Sequence, residues 1–237
     1  MTLAVISRDA PECLAVLLLA HGYQTVRLPP DPRLPAPVAA HPDLSVFFAP
    51  DAVYTTPTYA TCAKAELEAV CRHLGLPLRT VAAEVGNRYP RDVLLDALPV
   101  GNFLFCLPSA TAAELISHPR WQTVPVRQGY AKCAALPVGD RALVTADPSL
   151  RAAAESVGLN VCTITPGGIR LDGYDTGFIG GAASFSPYRH SDRIFFCGDL
   201  RSIGDGRKLS AFLSAHGTEA VEIPGMPLCD VGTVFLL

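Results

Sequence analysis

The residues of this chain best suited to chemistry are one histidine, two cysteines and a set of aspartates in similar surroundings. His41 is followed by Pro42 and Asp43, Cys133 follows Lys132, and Cys229 precedes Asp230. A thiol is a nucleophile only when ionised, so Lys132 would favour the thiolate of Cys133. Asp230, in contrast, would raise the thiol pKa of Cys229. An imidazole such as that of His41 exchanges protons near neutral pH. The other histidines have duller settings: His21 and His216 directly precede helix-ending glycines, His73 lies two residues before one, and His118 and His190 fall in loops. The eight cysteines (13, 62, 71, 106, 133, 162, 197 and 229) are scattered with no CxxC pair, which disfavours zinc and marks most of them as small core residues. Were His41 and the aspartates to hold a metal, their oxygen ligands would favour Mg2+ or Mn2+. The expectation is that neither a metal nor a cofactor is needed.

The aspartates gain weight from the elements that must position them. A β-α-β-β pattern is written five times, at about 1–50, 51–101, 102–139, 140–185 and 192–237. In the clearest copy a strand at 142–145 reaches Asp147, an N-cap with Pro148 in the first turn, and the helix stops at Gly158. A second strand follows at 160–165 and a third near 175–179. Asp9 to Glu12 and Thr111 to Glu114 have the spacing of capping boxes. The third strands open at Asp43, Asp92, Cys133, Asp175 and Asp230, so four of the five units place an aspartate at the same point. Lys132 fits that register almost as well, as a cation neutralising them. Because residues alternate faces along a strand, only one of Lys132 and Cys133 is expected to face inward. Closing five such units into a ring leaves few exposed edges and turns equivalent positions toward one axis. The expected architecture is a single α/β domain, a ring of five repeats around a central cavity lined by aspartates.

Composition narrows the function classes. With 237 residues, 49% hydrophobic and 17% charged, the chain can bury one large core. Its 19 Lys and Arg against 22 Asp and Glu leave no basic excess for neutralising phosphates, which argues against nucleic acid. The apolar runs at 14–20 and 103–107 fall far short of the roughly 20 residues that cross a bilayer. The N-terminus lacks the basic start of an export signal, so a cytoplasmic location is expected.

The repeat pattern, with HPDLSVFF (41–48), YPRDVLLD (89–96), GYAKC (129–133), GYDTGFIGG (173–181), FFCGDL (195–200) and PLCDVGT (227–233), resembles the pentein superfamily of guanidino-group-modifying enzymes. The resemblance covers essentially the whole chain, and its short motifs are similar to a bacterial branch with no assigned activity. It implies carboxylates that bind a guanidinium, a cysteine thiolate that attacks its central carbon and a histidine that shuttles protons. Carried onto this sequence, it implies His41 as general acid and base and Cys229, near the C-terminus, as nucleophile, with Cys133 as competitor. Asp43, Asp92, Asp175 and Asp230 become the cation-binding carboxylates. Two features depart from the family pattern. The His-x-Asp stands in the first repeat rather than in the one before the cysteine, and PGMPL (224–228) replaces a glycine-rich approach to the nucleophile. The implied activity is that of a cofactor-free hydrolase or amidinotransferase acting on a C–N bond of a guanidino or amidine compound. The alternative is a non-catalytic member that binds a small cationic ligand or a macromolecular partner. Geometry separates the two, because catalysis needs a cysteine sulfur within roughly 6 Å of His41.

Overall fold

The computed structural model describes residues 2–189 and 191–237, and His190 lies outside them. Strand β1 (Thr2–Ser7), helix α1 (Glu12–Ala20) and strand β2 (Tyr23–Leu28) form a parallel β-α-β unit. A helical turn α2 (Pro42–Ser45) leads into β3 (Val46–Ala49), which forms a hairpin with β4 (Ala52–Thr55). Helices α3 (Pro57–Cys62) and α4 (Lys64–Leu74) return the chain to β5 (Leu78–Thr80). The order recurs in β6 (Leu98–Val100), β7 (Phe103–Cys106), α5 (Ala113–Ile116) and β8 (Gln122–Pro125). It recurs again in α6 (Ala131–Ala134), β9 (Ala135–Val138), β10 (Ala142–Thr145), α7 (Pro148–Ser156) and β11 (Asn160–Thr163). The chain ends with β12 (Ser184–Phe185), β13 (Arg193–Phe195), α8 (Gly206–Ala215), β14 (Glu219–Val221) and β15 (Val234–Leu236).

The three-stranded sheets share one connectivity, an antiparallel pair followed by a helical crossover to a parallel strand: β3-β4-β5, β6-β7-β8 and β9-β10-β11. The last strand of each sequence repeat therefore pairs with the first strand of the next. Only two or three residues separate them (Pro50 and Asp51, Gly101 and Asn102, 139–141), and a connection that short closes only an antiparallel hairpin. The chain ends obey the same rule, with β15 antiparallel to β1, and β1 parallel to β2. In the remaining sheet β13 runs parallel to β14, and Ala183, just before β12, bridges Phe196 in the antiparallel sense.

Each long helix buries one apolar face on its own sheet. Leu14 and Leu18 of α1 pack with Ile6 and Phe195, Leu67 and Val70 of α4 with Val53, and Leu150 and Ala154 of α7 with Leu143. A fully buried leucine contributes about 1.5–3 kcal/mol. Asp147 caps α7 by accepting from the Leu150 N–H. The two expected capping boxes do not form: α1 and α5 start after Pro11 and Ala112 without a side-chain cap. Glu12 instead pairs with Arg27, and Glu114 accepts from the Ala82 N–H. No helix among the described residues is long and apolar enough to cross a membrane.

The segments expected to open the third strands are turns instead. Pro42, favoured at the first helical position, starts α2 around Asp43. The strands begin three residues after Asp43, six after Asp92, nine after Asp175 and four after Asp230. These aspartates do not share a register, and the structure places them differently.

Candidate active site

The helical turns α2 and α6, with the loop before β6 and the turn before β15, bring six ionisable side chains together. Among His41, Asp43, Asp96, Lys132, Cys133 and Asp230, none is more than 5% exposed. The Cys133 sulfur lies between two carboxylates, 3.0 Å from Asp43 Oδ2 and 3.0 Å from Asp96 Oδ2. Asp96 Oδ1 also accepts from the backbone N–H groups of Lys132 and Cys133, which fixes α6 against this loop. One His41 ring nitrogen, one Asp43 oxygen and Cys133 Sγ all lie within 4.8 Å of one another. His41 Nδ1 is 3.9 Å from Asp230 Oδ1, and Asp230 is itself held by the N–H groups of Phe178 and Gly232. Lys132 Nζ donates to Thr233 Oγ1 at 3.0 Å, and that hydroxyl donates to Asp43 Oδ2 at 2.7 Å. The ammonium also sits 5.2 Å from the centre of the Phe185 ring.

Burial governs the electrostatics. It pushes Asp96 well above the usual carboxyl range, and the charge of Asp43 adds to the effect. Asp230 is raised by burial while His41 opposes the shift. The Cys133 thiol is pushed well up by burial and then by Asp43, Asp96 and Asp230. Burial lowers Lys132, against the pull of the surrounding acids. Three carboxyl groups, Asp43, Asp96 and Asp230, thus face the one ammonium of Lys132, an acidic excess that the upward shifts of Asp96 and Asp230 lessen. The resting thiol is protonated, yet its one proton faces two acceptors. Asp43 Oδ1 has no hydrogen-bond partner among the described residues. A buried polar atom without a partner costs about 1–3 kcal/mol, which marks this centre as built for more than stability. The space left beside it is a cavity of about 10 Å³ lined by Asp43, Leu95, Lys132 and Phe185 among others. That is room for at most about one water.

Lys132 and Cys133 both reach the centre. Residues 131–134 form a helical turn, so adjacent side chains diverge by about 100° instead of pointing to opposite faces. Cys229 and Asp230 lie in extended chain and do alternate. Asp230 turns inward, while Cys229 is half-buried against the core cluster that holds Ile6, Leu14 and Phe195. Burial and Asp230 both push the Cys229 thiol up. Asp92 is buried but separately engaged, accepting from the Tyr130 hydroxyl at 2.6 Å. Asp175 is exposed on the surface and joins none of these groups. Two members of the centre, Asp96 and Thr233, were not singled out from the sequence. A signal for Asp96 exists: Ala-Leu-Pro-Val-Gly occurs at 97–101 and again at 135–139, which aligns the turns before β6 and β9. Thr233 sits at φ 68°, a conformation its sequence does not announce.

A family model described as "Family of unknown function (DUF6873)" matches residues 5–235. No curated protein matches the chain in sequence. Among solved structures, the chain is similar to DDAH from Pseudomonas aeruginosa in complex with citrulline, at 13% identity and a TM-score of 0.52, covering 94% of this chain and 91% of that one. It is similar to a dimethylarginine dimethylaminohydrolase adduct with S-methyl-L-thiocitrulline, at 14% identity and a TM-score of 0.54 over 100% of both chains. An amidinotransferase from Microseira wollei in the saxitoxin biosynthetic pathway follows at 10% identity and a TM-score of 0.51, covering 95% of this chain and 88% of that one. At such identities these are likenesses of fold, and the fold is that of the penteins.

Proposed function

The chain belongs to the DUF6873 family, and on the geometry of its buried centre we propose that it is a cysteine-dependent enzyme acting on a C–N bond of a guanidino or amidine compound. The observation that carries this reading is the convergence of the Cys133 sulfur, a His41 ring nitrogen and an Asp43 carboxylate within 4.8 Å. The three carboxylates leave an excess of negative charge that suits a planar cation. A bound cation would also offset the carboxylate charges that add to burial in holding the thiol protonated. His41 would take the Cys133 proton, and the resulting thiolate would attack the amidine carbon, forming a C–S bond while the C=N electron pair moves onto nitrogen. The C–N bond breaks as the leaving amine takes a proton from His41. Water, deprotonated by His41, attacks the same carbon and expels the thiolate, giving an oxygen-bearing product and the free amine. Against the expectation that favoured Cys229, the nucleophile in this reading is Cys133.

A second reading, a non-catalytic member that binds a cationic ligand, has its own support. The centre holds an internal ammonium, Lys132, and only about 10 Å³ of free space. Substrate entry would require movement of the segments at 177–181 and 230–233, which pack directly on Cys133 and His41. One experiment separates the readings. The protein is incubated with a panel of guanidino and amidine compounds while amine release and the intact mass are followed. Turnover with a transient adduct on Cys133, lost in Cys133→Ser and kept in Cys229→Ser, is the expected result. Turnover that survives Cys133→Ser overturns the assignment, and tight binding without adduct or product gives the site to the second reading.

A further inference from the structure

We propose that His41, Asp43 and Cys133 form a binding site for one zinc ion or a similar borderline divalent cation, whether or not the centre is catalytic. Their donor atoms, an imidazole nitrogen, a carboxylate oxygen and a sulfur, come from two separate helical turns and lie within 4.8 Å of one another. Zinc–ligand bonds of about 2.0–2.3 Å in tetrahedral geometry set neighbouring donors roughly 3.3–3.8 Å apart. Closing the donor separations by at most about 1–1.5 Å would complete three corners of that shell.

A second observation points the same way. Asp43 is 1% exposed, yet its Oδ1 has no partner, while Oδ2 is taken by Thr233 and the thiol. A metal at Oδ1 supplies that partner without displacing the Thr233–Lys132 chain. The charge change is also favourable. An M2+ ion entering with loss of the Cys133 proton to solvent forms one metal–sulfur bond and makes this acidic centre more positive by one formal charge. Asp96, bonded to the backbone of Lys132 and Cys133, would stand outside the shell and hold the sulfur-bearing turn in place. The sequence alone suggested a hard, oxygen-rich set suited to Mg2+ or Mn2+. The structure instead adds a thiol and so selects a softer ion.

The test uses the full chain, stripped with a chelator and titrated with Co2+ and then Zn2+. The expected result is one equivalent of cobalt with a near-ultraviolet thiolate-to-cobalt band, displaced by zinc. Cys133→Ser is expected to remove the band and weaken binding by about 100-fold or more, the scale of losing a ligand rather than its support. Cys229→Ser is expected to leave both unchanged. X-ray absorption at the zinc edge of the unmodified protein should show one sulfur, with nitrogen or oxygen for the rest, and it needs no variant to fold. Absence of the cobalt–thiolate band, its survival in Cys133→Ser, or a zinc shell with no sulfur or with two or more would overturn the proposal. A shell with several sulfurs would assign the metal to exposed thiols such as Cys13 and Cys62.

Discussion

Replacing Lys132 by methionine removes the one lysine ammonium in the centre while keeping an apolar stem against Phe185. Asp43, Asp96 and Asp230 are then left facing one another inside the protein. Lys132 reaches Asp43 through the Thr233 hydroxyl, so the cost is bounded by the about 3–5 kcal/mol of deleting one partner of a directly paired buried ion pair. With an unfolding entropy of about 2 cal/mol/K per residue, a loss at that bound lowers Tm by roughly 6–10 °C for a chain of this length. The pH dependence has a definite sign. Burial raises Asp96 and Asp230 above their unfolded value of 3.8, so their contribution is fully present below that value and is lost as pH rises through the folded pKa. Lys132 holds Asp96 down, and its removal pushes that pKa further up. The variant's deficit is therefore largest near pH 7.5 and shrinks toward pH 5, where the carboxyls take up protons. Urea unfolding of both proteins at the two pH values measures it. A loss under about 1 kcal/mol at pH 7.5, well short of a broken buried pair, or equal losses at both pH values, would refute the assignment of Lys132 as the built-in counter-cation.

Further outcomes follow from the same contacts. Thr233→Val deletes the hydroxyl that joins Lys132 to Asp43 and should cost about 1–3 kcal/mol in urea unfolding, since the buried ammonium loses its hydroxyl acceptor and Asp43 Oδ2 keeps only the thiol as donor. Tyr130→Phe removes the hydrogen bond that Asp92 accepts at 2.6 Å, with a cost of similar size in urea unfolding. Gly232→Ala should be less stable by about 2–4 kcal/mol, because its φ is +73° and a Cβ there would fall on His41. In native alkylation with iodoacetamide, mapped by mass spectrometry, the exposed Cys13 and Cys62 should react before the buried Cys133. Asp96→Asn should speed the Cys133 reaction, since one of the charges opposing its thiolate is gone.

What the sequence carried and what it hid follow from two different kinds of constraint. Repeated helix–strand alternation is a local signal, and so the mixed α/β character and helix ends such as the Asp147 cap and Gly75 after α4 could be read in advance. Which strand pairs with which is decided by turn length, and the two-residue links at 50–51 and 101–102 moved each third strand into the next sheet. The site depended on a finer distinction still. If residues 131–134 were strand, Lys132 and Cys133 would face opposite ways and only one could serve the centre. As a single helical turn they diverge by about 100°, so both enter. A four-residue turn leaves no 3.6-residue period for the sequence to display. The same ambiguity placed Asp92 and Asp175 in a register with Asp43 that the strand starts do not support. Asp96 could have been reached through the repeated Ala-Leu-Pro-Val-Gly, because two identical strand entries must present equivalent preceding residues. That alignment sets Asp96 opposite Ala134, one residue after Cys133, so a carboxylate in one repeat comes to lie against the thiol of the next. The chemistry of this centre is thus written in differences between repeats rather than in what they share.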